Sequence, residues 1–339
     1  MRKDVIPPTI LSLLLLVIPL SIFGATIRVS PDAGGEGIQE ALDELGVGGR
    51  VLLQPGTYLV RQPIILRQNK QTLRGAGVET ILFLADHANC PVVVLGDPLD
   101  RSKGPTDGLL LYDLSVDGNR IRQDTELWRI LPDGPRVNND GVVVWDIDGA
   151  TVQDVTCARC RSGGLVSSAR ARNLTVRGYT AFDNQFDGLA CYGTARCRFI
   201  RLNLYANLSA GISLDLGFNH NLINRAVLTG NDVGIFMRQS RNNAFERVTI
   251  RHSHHDGVFM AQAGDMTRHG WRLTPGTECI GNTFEDLRVL NCGGRAFRVN
   301  NVSCTNNKID GAQFLANTHG GLSQPSTNLV VVKSVTVHP

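Results

Sequence analysis

Aromatic residues make up only 6% of this 339-residue chain, and the formal net charge is only +3. So few rings argue against long packed helices, and a charge so near zero excludes binding of polyanions by bulk charge alone. Any basic stripe must be local, and nucleic acid is not an expected partner. Beyond residue 23 no apolar stretch is long enough to cross a bilayer. Charged residues reach only 19%, against 42% hydrophobic, so a full core is attainable and disorder is excluded. What the chain has in abundance is glycine, 36 residues, which suits many tight turns.

The N-terminus reads as a targeting segment. Arg2 and Lys3 precede an apolar run from Ile10 to Phe23, and small residues follow at Gly24 and Ala25. Pro19 and the shortness of the run favour a signal peptide over residues 1–25 rather than a stable membrane anchor. The expected location is therefore secreted or periplasmic, with residues 26–339 forming one domain that functions as a monomer. Eight cysteines in such a compartment can pair.

Internal repeats dominate the rest. Glycines at Gly141, Gly164, Gly188, Gly211, Gly234, Gly257 and Gly294 each follow a turn and precede an apolar stretch. They lie 23, 24, 23, 23, 23 and 37 residues apart, the last gap holding an insertion. A second column, Asn173, Cys197, Asn221, Asn243, Asn282 and Asn307, repeats in step. Five and seven residues after each lie mostly apolar or small residues, which marks a strand with one face inward. Two strand patterns per 23 to 24 residues, without a leucine ladder, fit an all-β right-handed parallel β-helix. Its asparagines would form an inward ladder of amide hydrogen bonds. Ile38, Ala41, Leu42 and Leu45 share one face of a short N-terminal helix that would cap the open end of the stack.

That capping helix, the turn Pro55-Gly56-Thr57-Tyr58, the turn Leu73-Arg74-Gly75-Ala76-Gly77 and the later Gly-Ile coils resemble the pectin-lyase-like β-helix superfamily. The resemblance spans almost all of residues 30–335. It implies the fold and a polysaccharide partner, and leaves the reaction open among lyases, hydrolases, epimerases, esterases and phage tail proteins. Gly211-Ile212-Ser213-Leu214-Asp215 and Gly234-Ile235-Phe236-Met237-Arg238 are similar to coils of mannuronan C5-epimerases and related alginate lyases. The Asp-Pro-His-Asp/Glu motif of those epimerases is absent, so none of their catalytic residues carries over.

Insertions at about 118–138 and 262–279 border the strands that follow the glycines, and could wall a groove. If the first and third residues after each glycine point inward, the second and fourth point out. The fourth column is Trp145, Ser168, Tyr192, Asp215, Arg238, Ala261 and Arg298; the second is Val143, Val166, Ala190, Ser213, Phe236, Phe259 and Ala296. A row this apolar needs a cover, from a loop or a ligand. Tyr192, Asp215 and Arg238 fall on successive rungs, and His255 falls beside Asp232. These give Tyr192, Asp215, Arg238 and His255 as candidate catalytic groups. Trp145 would stack on a sugar ring, and His220, His254 and Arg298 would complete substrate binding. The plainer alternative for each is a surface ion pair or a solvated turn.

Abstraction of the C5 proton of a uronate, by a lyase or epimerase, is the leading expectation, with Arg238 or Arg298 neutralising the carboxylate. A glycoside hydrolase needs two carboxyls. Asp215 lacks a partner in its own column, although Asp124, Glu126, Asp133 or Asp265 could supply one. A non-catalytic carbohydrate-binding β-helix is the third reading. No cofactor is required, and no zinc spacing is complete around His252, His254 and His255. Calcium on Asp187 with Asn184 is an option that the spacing does not support. Asp140, Asp187 and Asp256 precede glycines and read first as turn formers. Cys279 and Cys304 occupy equivalent places on adjacent rungs, which predicts a disulfide.

Overall fold

The computed structural model describes residues 24–100, 102–128, 137–267, 270–324, 329–331 and 335–338. The expected signal segment lies outside them up to residue 23. The chain winds as a parallel β-solenoid. Ten short strands stack as one sheet, from Ile64–Leu66 through Val142–Val144, Leu189–Tyr192 and Val233–Met237 to Leu322–Ser323. Longer strands, among them Ile147–Ala158, Ala171–Phe182, Arg198–Tyr205 and Leu222–Thr229, stack in parallel on the other side of the coil. Each is bent midway by a left-handed residue, the series Asp154, Gly178, Arg201 and Arg225 having φ between 51° and 64°.

Pleating sets what is inside. The first and third positions after the glycines, such as Leu189, Cys191, Ile212, Leu214, Ile235 and Met237, are fully buried, as the alternation predicts. The helix Gly34–Leu45 closes the N-terminal end with Ile38, Ala41 and Leu42 buried, and terminates at Gly46 with φ 62°.

The asparagine ladder exists. Asn221, Asn243, Asn282 and Asn307 stack, each Oδ1 accepting from the amides of the preceding rung at 2.8–3.2 Å. A second ladder, Asn184, Asn207 and Asn231, was not anticipated, although its spacing was visible. These amides satisfy backbone groups that the bends leave unpaired inside the coil.

Asn173 is not in the ladder. Thr175 pairs with Arg198, which sets Leu174 and not Asn173 level with Cys197, and Asn173 is exposed with φ 53°, equivalent to Arg196 and His220 at the bend. Asparagine is favoured both in a ladder and in left-handed backbone, so residue type could not separate the two places. The last turn also shifts. Val258 pairs with Phe297, so Ala296, not Gly294, replaces Gly257. Gly293 and Gly294 lie in an enlarged turn, where a Cβ would fall 2.2 Å from the His254 carbonyl and 2.5 Å from Asp256 Oδ1. The predicted Cys279–Cys304 disulfide is not formed. Both are free thiols, with the Cys279 amide 3.4 Å from Cys304 Sγ. Side chains stacked in parallel at a rung spacing of about 4.8 Å stand farther apart than the ~3.8 Å Cβ separation of a disulfide.

Candidate functional site

The outward face of the ten-stranded sheet divides into two parts. Over the first rungs, Ile65, Val94 and Val143 are buried beneath the insertion, packed with Val137, Trp128 and Trp145. The cover is a small antiparallel hairpin, Leu127–Trp128 against Val137–Asn138. From the Leu165–Ser167 strand onward the face is an open groove. Its floor is Val166, Ala190, Ser213, Phe236, Phe259 and Arg298. The second insertion forms a backbone hairpin, Gly264–Thr267 with Gly270–Leu273, leaving from the opposite edge.

One wall is the row of turns. Three aspartates on it use the same device. Asp140 Oδ1 accepts from the Gly163 amide at 2.8 Å, Asp187 Oδ1 from Ala210 at 2.9 Å, and Asp256 Oδ1 from Arg295 at 2.7 Å. Each carboxylate ties its turn to the next rung, which bears out their reading as turn formers. Two of them are also chemically perturbed. Burial pushes Asp140 up to about 7, and the nearby Asp187 adds to the rise, while the Gly163 amide opposes it. Asp140 Oδ2 is buried without a partner, which disfavours the charged carboxylate. Burial also raises Asp187, against hydrogen bonds from Ser209 and Ala210. Both line a cavity of about 220 Å³ with Glu126, Asn138 and Tyr192. Asp187 also lines the neighbouring cavity of about 500 Å³ over Phe236 and Phe259.

The other wall carries three of the predicted catalytic groups. Tyr192 pairs in register with Asp215, and Arg238 comes directly after the next strand and ion-pairs with Asp215. Burial raises the Tyr192 hydroxyl, with Asp187 and Asp140 adding to the effect. Arg238 lies 5.2 Å above the Phe236 ring, with its Nε buried and unpartnered. Arg298 belongs to the floor, not to this wall, because of the shifted last turn. It lies 4.1 Å above Phe259 and 3.4 Å from Asp256 Oδ2. The two arginines thus hold two carboxylates and cover two rings.

His255 Nδ1 stands 2.8 Å from Asp232 Oδ1 at the rim of the larger cavity, as the rung register required. The remaining predicted residues are elsewhere. His220 is a left-handed bend residue on a different surface, beside Arg196 and Asn242. His254 is exposed and lines neither cavity of the groove. Trp145 seals the covered cluster and borders a separate cavity of about 350 Å³ with Asp97, Lys103 and Arg170. Asn184 is fully committed to its ladder, with Oδ1 accepting from Cys160 and Nδ2 donating to Asn207, so it cannot share calcium with Asp187. Among the described residues no group of three His, Cys, Asp or Glu could hold a metal. Asp124 is turned to His87 and Asn89, while Asp133 and the side chain of Asp265 lie outside the described residues. Sequence reasoning did not separate Asp140 from an ordinary turn aspartate, because only burial distinguishes it.

Comparison with known proteins supports the architecture. The chain superposes on the A-module of a mannuronan C-5 epimerase from Azotobacter vinelandii with TM-score 0.56 and 16% identity, over 90% of this chain and 94% of that one. A polygalacturonase from Erwinia carotovora gives 0.54 and 10%, over 91% and 96%. The N-terminal fragment of gene product 12 from bacteriophage Phi29 gives 0.59 and 12%, over 89% and 65%. Such identities establish a shared fold and no specific activity. No curated protein matches the sequence. The profile of the right-handed β-helix region matches residues 140–336, more than half of the chain, and the protein therefore belongs to the right-handed β-helix family.

Proposed function

We propose that this protein is an exported glycoside hydrolase acting on a neutral polysaccharide, with Asp140 and Asp187 as its acid and base. The observation that carries the reading is that two carboxyls of raised pKa line one cavity. They sit two rungs apart and lean the same way, so their separation is roughly 9–10 Å, at the upper end of the ~6.5–9.5 Å that accommodates a water in an inverting hydrolase. Asp140, protonated up to about pH 7, can give its proton to the leaving oxygen. Asp187, the second carboxyl of the cavity, takes the proton of the attacking water in this reading. The groove's charge supports a neutral substrate. Its two arginines already hold Asp215 and Asp256, so neither is free to bind a uronate carboxylate.

Abstraction of a uronate C5 proton remains the second reading, favoured by Tyr192 beside the Asp215–Arg238 pair. One experiment separates the two. The mature protein is incubated with linear glucans, mannan and xylan beside alginate and pectate. Reducing ends and the ultraviolet absorbance of unsaturated uronate ends are then followed. Hydrolysis predicts new reducing ends on a neutral polymer without absorbance. Absorbance rising on alginate or pectate would overturn it in favour of elimination.

A further inference from the structure

The groove is closed at one end, and the perturbed carboxyls stand at that end. The hairpin that buries Ile65, Val94 and Val143 occupies the face over the first rungs. Its edge meets the next rung, where Asn138 Nδ2 donates to Ser162 Oγ at 3.3 Å. Glu126 and Asn138 form the end wall of the smaller cavity, against Asp140 and Tyr192. At about 220 Å³ that cavity is smaller than the ~300–1,000 Å³ typical of ligand pockets, room for a terminal sugar rather than a continuing chain. On the opposite side of Asp187 the floor runs on across Phe236, Phe259 and Arg298, all partly exposed, with a cavity of about 500 Å³ above it. Binding surface therefore lies almost entirely on one side of the acid–base pair.

We infer that the protein acts on the ends of polysaccharide chains. This rests on the hydrolase reading for the chemistry, and on the shape of the groove alone for the end selectivity. The chain lies along Phe259 and Phe236, and its last unit seats against Glu126 and Asn138. Asp140 donates its proton to the bridging oxygen, which leaves with the terminal unit as its bond to the next unit's anomeric carbon breaks. Water adds to that carbon from the other face while Asp187 takes its proton. The products are one short sugar and a shortened polymer whose new end has inverted configuration.

The test follows product size and viscosity on a neutral polymer that the protein cleaves. Short products from the first time point, with viscosity nearly constant per bond broken, are expected. A ladder of long fragments with an early collapse of viscosity would overturn the inference. The Glu126→Ala/Asn138→Ala variant should lengthen the products. If it fails to fold, the wild-type profile still decides. If no polymer is cleaved, the hydrolase reading fails while end selectivity is still read by binding. Cellohexaose, laminarihexaose and maltohexaose are compared with the same sugars carrying a bulky block at either end. At least tenfold weaker binding from a block at one end only is expected, and equal affinity for free and doubly blocked sugars would overturn the inference.

Discussion

The covered and open parts of one sheet face share strand geometry and outward-pointing apolar residues, yet do opposite work. Val94 and Val143 are as buried as the solenoid interior, whereas Phe236 and Phe259 in the same column remain partly exposed. The difference comes from a hairpin inserted between the Val93–Leu95 and Val142–Val144 strands, which adds a second small core to the outside of the coil. An apolar outward row is therefore neither core nor binding site by itself. What is laid over it decides, and where the cover stops the same kind of surface becomes a groove floor.

The largest effect that would sharpen this contrast is on stability. Val94→Asp puts an unpaired charge beneath the hairpin and should cost on the order of 3–5 kcal/mol or prevent folding. Phe236→Asp, in the open part, should shift the thermal midpoint far less. Equal losses by calorimetry would mean the two regions are not different. Next in size, Asp187→Asn should reduce turnover by about 10²–10⁴-fold while leaving the melting temperature close to wild type, since the amide oxygen can still accept from Ala210. Activity near wild type would remove Asp187 from the chemistry.

Asp140 links burial to pH. Its folded value, about 7, is raised above the ordinary 3.8, so its contribution to stability is fully present below pH ~4 and is lost as pH rises through 7. Asp140→Asn should flatten that slope in urea melts between pH 4 and 8 and abolish turnover. The wild-type rate should fall above about pH 7 as the proton donor ionises. A rate still rising at pH 9 would contradict the role. The smallest effect belongs to the floor. Phe259→Ala should weaken binding by about 1 kcal/mol, roughly fivefold in KM, with kcat little changed.

Some of this was legible in advance, and particular residues show why. Tyr192, Asp215 and Arg238 came together because a coil of constant length turns a sequence period into vertical neighbours. His255 met Asp232 for the same reason. His220 was misplaced because it fell in a bend, where one residue more or less redirects the side chain. Arg298 moved from wall to floor because the last turn is enlarged around Gly293 and Gly294.

The sequence by itself determined the parallel β-helix, its inward columns, one asparagine ladder and the capping helix. These depend on contacts between residues about 23 apart, and the repeat writes such contacts into the chain many times over. Only the tertiary structure decided where the groove begins, which carboxyls line one cavity and which aspartate burial raises towards neutrality. Those properties arise where an unrepeated insertion folds back over the regular scaffold and removes water. Burial of that kind depends on what lies above a residue rather than on its place in the period.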